Sequence, residues 1–166
     1  MSEQLALIIE PLGNNHNRAA FSCGTDDLDN YFRRQASQDT KRRIARIFVV
    51  RSENDEEEVL GYYTLSALSI ALSALPSDLA RKLPKHAIPA ALIGRLAVSS
   101  ESQGRGIGKI LLTDAIKRTL GVGEEIAVYA MVVDALNAEA EAFYLSFGFA
   151  KLGTGTNRLF LPLRSI

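Results

Sequence analysis

Leu92 to Ala115, LIGRLAVSSESQGRGIGKILLTDA, joins a strand pattern to a helical one through a glycine-rich turn. Leu92-Ile93-Gly94-Arg95-Leu96-Ala97-Val98 has a strand pattern, and Ser99 to Ser102 is a polar turn. Gln103-Gly104-Arg105-Gly106-Ile107-Gly108 then runs straight into an amphipathic helix, in which Ile107, Ile110, Leu111 and Ala115 recur at helical spacing and are expected to face a core. Glycines at a strand–helix junction present free backbone N–H groups at the positive end of a helix dipole, an arrangement suited to a phosphate. Gly104, Gly106 and Gly108 have no Cβ, so a bulky anion can approach the backbone. Arg105 and Lys109 add mobile positive charge.

The glycine spacing is neither Gly-x-x-x-x-Gly-Lys-Ser/Thr nor Gly-x-Gly-x-x-Gly, which excludes the two common nucleotide motifs. It resembles instead the acetyl-CoA motif of the GNAT acetyltransferases, Gln/Arg-x-x-Gly-x-Gly/Ala, with Gln103, Gly106 and Gly108 in the specified places. The resemblance implies an α/β fold with a central mixed sheet flanked by helices. It also implies acetyl-CoA as acetyl donor, held by Leu96 to Val98 and by Gln103 to Lys109.

The 166 residues are expected to form a single domain, 1–166, with a real core. No apolar run approaches the roughly 18 residues of a membrane span. The start, MSEQLALIIE, lacks a signal-peptide pattern, so no membrane association is expected. One cysteine, Cys23, excludes an internal disulfide and fits a reducing, cytoplasmic compartment. Cys23 is expected to be a packed thiol and His16 and His86 surface side chains, with no metal site.

The charges balance at 19 basic and 19 acidic residues, which argues against a protein coated for nucleic acid. They are unevenly placed, however. Arg33, Arg34, Lys41, Arg42, Arg43, Arg46 and Arg51 face the single acid Asp39, and Glu53, Asp55, Glu56, Glu57 and Glu58 follow. Each run fits a solvated helix end or turn; the basic one equally fits a patch that meets a phosphate-rich partner.

Along the chain, strands are expected over Leu5–Glu10, Ile44–Val50, Val59–Ala71, Pro89–Val98, Glu125–Asp134, Phe149–Leu152 and Arg158–Leu163. Thr25 is expected to cap a helix with Asp26, Asp27 and Asp29 in its first turn, Leu28, Tyr31, Phe32 and Ala36 on its apolar face, and the basic run at its end. A short helix is expected within Pro76–Lys85, a longer one from the glycine turn to Leu120, and a last one from the cap Asn137 to Gly148.

Phe143-Tyr144 precedes Gly148-Phe149 in this last helix. GNAT enzymes commonly carry a tyrosine here, so the resemblance points to Tyr144 as the catalytic residue. A leaving thiolate, with a thiol pKa near 8.5, needs only one O–H donor, and neutral tyrosine is one. A core aromatic is the alternative. Asn137 is either an N-cap, a contact to the pantetheine arm, or both. A backbone N–H around Leu96 to Val98 is the family-type stabiliser of the carbonyl oxygen. No acid stands out as the base, and an aminoacyl ester, with its weakly basic α-amino group, would need none.

A narrower resemblance covers nearly the whole chain. Phe21-Ser22-Cys23-Gly24, Gly61-Tyr62-Tyr63-Thr64-Leu65-Ser66, Gly94-Arg95-Leu96-Ala97-Val98, Val133-Asp134-Ala135, Phe143-Tyr144 and Leu159-Phe160-Leu161-Pro162 are similar to the TacT-like GNAT toxins of toxin–antitoxin pairs. This implies acetylation of the amino group of aminoacyl-tRNA, a ribbon-helix-helix antitoxin as partner, and a homodimer. Arg42, Arg43 and Arg46 are then candidate tRNA contacts, and Arg81, Lys82 and Lys85 could add to the patch. Arg95 is either salt-bridged or a contact to the acceptor end. Two alternatives stand: an N-acetyltransferase for small-molecule or protein amines, and a catalytically silent acetyl-CoA-binding module.

Overall fold

The computed structural model describes residues 6–153 and 155–165. In these residues the strands are β1 (Leu7–Pro11), β2 (Arg46–Ser52), β3 (Gly61–Ile70), β4 (Ile88–Val98), β5 (Ala130–Asp134), β6 (Ala150–Lys151) and β7 (Arg158–Pro162). The helices are α1 (Asp26–Arg34), α2 (Ala36–Lys41), α3 (Ser77–Ala80), α4 (Ile107–Val122) and α5 (Ala138–Ser146). The strands form a mixed seven-stranded sheet in the order β1-β2-β3-β4-β5-β7-β6. Two compact units make up the chain: Met1–Leu65 with Arg95–Ala115, and Ser66–Gly94 with Ile116–Ile166. No helix among the described residues is long and apolar enough to cross a membrane.

In the first unit β1 and β2 pair antiparallel, and so do β2 and β3. The core gathers Phe21, Tyr31, Phe32, Ile47, Val49, Val59, Tyr62 and Ala97. Gly61 is required by close approach: a Cβ there would lie 2.8 Å from the Ala97 carbonyl oxygen. The expected strand from Ile44 begins instead at Arg46, because the chain first completes a turn. The expected strand from Val59 begins at Gly61, and Leu5 lies outside the described residues. The first helix is two helices, broken at Gln35. Thr25 holds the N-cap position without a side-chain cap bond. The buried Asp29 carboxylate reaches back to accept from the Cys23 N–H at 2.9 Å, satisfying that buried donor.

His16 corrects the surface expectation. It is buried, its Nδ1 accepts from the Gly13 N–H at 2.9 Å, and its Nε2 lies 3.0 Å from Glu10 Oε1. Glu10 also takes a hydrogen bond from Arg51. Two basic groups on one carboxylate hold its pKa below the usual range, with the Arg51 hydrogen bond the largest cause. His86 is exposed, as expected, and Cys23 is a packed thiol. Burial, followed by the bond to Asp29, pushes the Cys23 pKa up to about 11.

In α4, Ile107, Leu111 and Ala115 are buried as expected. Ile110 is not: it is 40% exposed, and Leu112 takes the inward place. The inward stripe is therefore 107, 111, 112, 115, turned by one residue step from the expected one.

In the second unit, β4 and β5 run parallel over Ala90–Ile93 and Ala130–Val133, and β7 pairs antiparallel with both β5 and β6. Ile70, Ile88, Ala90, Ala130, Val132, Leu152 and Phe160 form its core. The strand expected from Glu125 starts only at Ala130. Residues 124–126 unwind the end of α4, with Glu125 and Ile126 both donating to the Val122 carbonyl, and Ile126 is 69% exposed.

Candidate active site

The glycine turn is held from below. Gln103 Nε2 donates to the Cys23 carbonyl at 3.0 Å and to the Val98 carbonyl at 3.1 Å. The Ser99 and Ser100 N–H groups donate to the Leu60 and Ser22 carbonyls. The amide of Gln103 is thus spent on tying the turn to the end of β4 and to the Phe21–Cys23 segment. Gly104 and Gly106 have φ of 81° and 79°, left-handed values that L side chains rarely adopt. A Cβ on either would meet nothing within 4 Å, so the space over the turn is open. The Gly106 carbonyl accepts from the Ile110 N–H at 3.1 Å and starts α4. The N–H groups of Ile107, Gly108 and Lys109 consequently have no acceptor within the helix. Ile107 is buried and anchors the helix start, while Arg105 and Lys109 are exposed. Bare amides, a dipole and two mobile cations are the chemistry that a diphosphate requires.

β4 continues past Ile93, the last residue of its parallel pairing with β5, through Leu96, Ala97 and Val98. Asn137 is an N-cap: its Oδ1 accepts from the Ala140 N–H at 2.8 Å.

Tyr144 is 5% exposed, its ring against Phe143 and Phe149. Burial, with the charge of Asp134 second, pushes its pKa well above the ordinary tyrosine value, so the hydroxyl stays protonated. The three other buried tyrosines spend their hydroxyls inside the protein. Tyr31 donates to Asp39, Tyr62 to the Leu28 carbonyl and Tyr63 to Asp114. Tyr144 has no such acceptor among the described residues, and none of their sealed side-chain polar atoms is left unbonded. Its hydroxyl therefore reaches solvent from a buried ring, as a donor with nothing to donate to.

The basic run divides. Arg33 donates to the Phe21 carbonyl and Arg51 to Glu10, so both are structural. Lys41, Arg42, Arg43 and Arg46 are exposed. Lys41 ends α2 and Arg46 opens β2, its Nη1 donating to the Thr40 carbonyl at 3.5 Å. Arg42 and Arg43 lie on the turn between, where the Ile44 N–H donates to the Asp39 carbonyl and the Arg43 N–H to the Thr40 carbonyl. Those two bonds make a Schellman motif with Arg43 in the position usually held by glycine, at φ 60°. A left-handed arginine costs about 1–2 kcal/mol. Glycine there relieves that strain against an unfolded-chain entropy of about 0.4–1 kcal/mol. Arg43→Gly is therefore expected to leave stability unchanged or raise it by up to about 1 kcal/mol, read from the urea midpoint. A clear loss would show that the side chain holds the turn. The acidic run is a turn built on Asp55, whose carboxylate accepts from the Glu57 and Glu58 N–H groups.

Arg95 does not take the salt-bridged half of its expectation. Its guanidinium carbon lies 3.6 Å from the centroid of the Tyr31 ring, and it pairs with no carboxylate among the described residues. Tyr31 and Asp39 were legible only as an apolar helix position and as the lone acid in a basic run. Their joint role needs the break at Gln35, and no local sequence signal marks it. No group of three His, Cys, Asp or Glu among the described residues is placed to hold a metal ion.

The profile of the acetyltransferase (GNAT) family matches residues 14–149. The chain belongs to that family. Its fold and its class of enzyme, an acetyltransferase, follow from this membership. Among GNAT relatives, a probable toxin TacT of Sinorhizobium fredii is 36% identical over 168 residues, 96% of this chain and 92% of the relative. A tRNA-acetylating toxin of Mycobacterium tuberculosis is 36% identical over 145 residues, 87% and 85% of the two chains. A structure of AtaT complexed with acetyl-methionyl-tRNAfMet matches with a TM-score of 0.89 at 31% identity, over 96% of each chain. A mutant AtaT toxin bound to the C-terminus of the antitoxin AtaR and acetyl-CoA matches with a TM-score of 0.81 at 28% identity, over 96% of this chain and 94% of that one.

Proposed function

We propose that this acetyltransferase is a toxin that moves the acetyl group of acetyl-CoA to the amino group of an aminoacyl-tRNA and so blocks translation, residues 1–166 serving as one catalytic domain. The single observation that carries the chemistry is the Tyr144 hydroxyl, buried at its ring and unpartnered at its oxygen. The relatives support the substrate: a probable toxin TacT, a tRNA-acetylating toxin and AtaT complexed with acetyl-methionyl-tRNAfMet.

Acetyl-CoA supplies the acetyl group as a thioester. The Gly104–Lys109 turn takes its diphosphate on backbone amides, with Gln103 fixing the turn and Arg105 and Lys109 adding charge. Backbone N–H groups of Leu96 to Val98, beyond the part of β4 that pairs with β5, receive the negative charge that develops on the carbonyl oxygen. The amine nitrogen bonds to the carbonyl carbon, the carbon–sulfur bond breaks, and Tyr144 donates its proton to the departing sulfur. The amine loses one proton to solvent, from which Tyr144 is reprotonated. Asn137 caps α5 and so fixes the helix that carries Tyr144.

Arg42, Arg43 and Arg46 are the proposed phosphate contacts for tRNA. Exposed cations are free to meet phosphates, and a strained backbone angle such as that of Arg43 is of the kind that collects at ligand sites. Replacing all three by glutamine is expected to raise the Michaelis constant for charged tRNA roughly tenfold, to leave that for acetyl-CoA within about twofold, and to flatten the salt dependence by about two to three log–log units. Unchanged salt dependence would remove the turn from the substrate site. Labelled acetyl-CoA offered with charged and with uncharged tRNA tests the whole reading. Label on charged tRNA alone supports it; label on polyamines or protein amines instead makes the protein an ordinary amine acetyltransferase. The reading also gives it a cytoplasmic site of action, a ribbon-helix-helix antitoxin and a homodimeric state, which co-purification with a neighbouring small gene product and light scattering would test.

A further inference from the structure

We propose that Tyr31 and Asp39 are positioning residues that hold the Arg95 guanidinium as a phosphate contact for the nucleic-acid substrate. The proposal rests on tRNA being that substrate.

A half-buried guanidinium normally meets a carboxylate, because a charge withdrawn from water without a counter-charge is costly. Arg95 meets an aromatic face instead, at 3.6 Å, and no carbonyl or carboxylate among the described residues takes a hydrogen bond from it. Its main-chain N–H is fixed to Thr64 Oγ1 at 3.1 Å, so the residue is rigid at its root. Stacking uses the flat face of a guanidinium and leaves its in-plane N–H fork, whose geometry matches a phosphate.

The aromatic face is itself braced. Tyr31 is 4% exposed and stacks with Tyr62 at 6.5 Å, and Tyr62 stacks on Phe32 at 4.4 Å. The Tyr31 hydroxyl donates to Asp39 Oδ2 at 2.7 Å, inside the protein. Asp39 also acts through its main chain, where its carbonyl accepts from the Ile44 N–H and closes the turn that carries Arg42 and Arg43. One buried residue thus fixes both the platform under Arg95 and the basic turn. A merely structural tyrosine–aspartate bond requires no unpaired arginine on the tyrosine's outer face.

The test is direct binding of bulk tRNA, charged and uncharged, to the full chain without acetyl-CoA, as a function of salt. Arg95→Gln is expected to weaken binding roughly tenfold and to lower the log–log salt slope by about 0.9. Tyr31→Leu, with Arg95 intact, is expected to reproduce most of that loss. The double variant is expected to bind no more weakly than Arg95→Gln within about twofold, because Tyr31 acts through Arg95. Tyr31→Phe keeps the face and loses only the anchor; it is expected to weaken binding by about two- to fivefold with an unchanged Michaelis constant for acetyl-CoA. Additive losses in the double variant overturn the proposal, as does Tyr31→Phe with wild-type affinity and slope, which decides the matter should Tyr31→Leu not fold. A full salt slope in Arg95→Gln, in a protein whose wild type acetylates charged tRNA, overturns this proposal and leaves the substrate reading standing. A wild type that neither binds nor acetylates tRNA overturns both.

Discussion

Tyr144→Phe is expected to lower turnover by roughly 10- to 1000-fold, the low to middle range of proton-donor effects, with CoA affinity and thermal midpoint close to wild type. The substitution removes one oxygen. That oxygen accepts and donates no hydrogen bond within the described residues, so its loss orphans no buried partner and carries little cost to the fold. The ring keeps its contacts with Phe143 and Phe149. The same substitution at Tyr31, Tyr62 or Tyr63 would break a bond to an internal acceptor and show first in stability. A second consequence is testable by pH. Burial, then Asp134, raises the Tyr144 pKa, so the proton to be donated is present across the neutral and mildly alkaline range. The rate should rise as the substrate amine loses its proton, near pH 8 for an α-amino group, and then hold level to about pH 10. A fall between pH 8 and pH 10 would mean that the donor titrates there, contrary to its buried setting. Equal turnover in the two proteins would make Tyr144 a packing residue.

The elements legible in the sequence were those with a one-dimensional cause. The turn from Gln103 to Gly108 announces itself because three close-set glycines have few other uses, and Asn137 because a cap acts within four residues. Local sequence misleads where a tertiary partner decides. The strand expected from Glu125 contains Ile126 and Val128 in alternation, yet its ladder begins only where Ala90 faces Ala130. Ile110 has helical spacing but sits one step off the face that the core covers. His16 looked like a surface residue because Glu10 and the Gly13 N–H, which make its burial tolerable, are brought to it only by the irregular segment after β1. Arg95 was open between two roles because an aromatic partner 64 positions earlier leaves no trace in local composition. The basic run carries charge in its sequence but not its division: Arg33, Arg46 and Arg51 are tied to carbonyl or carboxylate oxygens, whereas Arg42 and Arg43 stand exposed on the turn after α2.

Gly106→Glu is expected to weaken CoA binding by roughly 10- to 1000-fold, measured by calorimetry, and Gly106→Ala by clearly less. Two effects add in the glutamate variant. The backbone at Gly106 has φ 79°, so any L side chain strains it, at about 1–2 kcal/mol, or bends the turn away from its binding shape. The strain appears in both variants, and because a Cβ there meets nothing within 4 Å it has no steric component inside the protein. Glutamate adds a negative charge beside the diphosphate. One unit charge against another at about 4 Å costs roughly 1–4 kcal/mol between bulk water and a protein surface, and about 1.4 kcal/mol is tenfold in affinity. The Ile110 N–H still needs its acceptor at the Gly106 carbonyl, so α4 should begin at the same residue and the fold should survive. Raising the salt concentration should recover part of the glutamate loss and none of the alanine loss, since only the first is electrostatic. Full CoA affinity in Gly106→Glu would mean that the diphosphate does not lie over this turn.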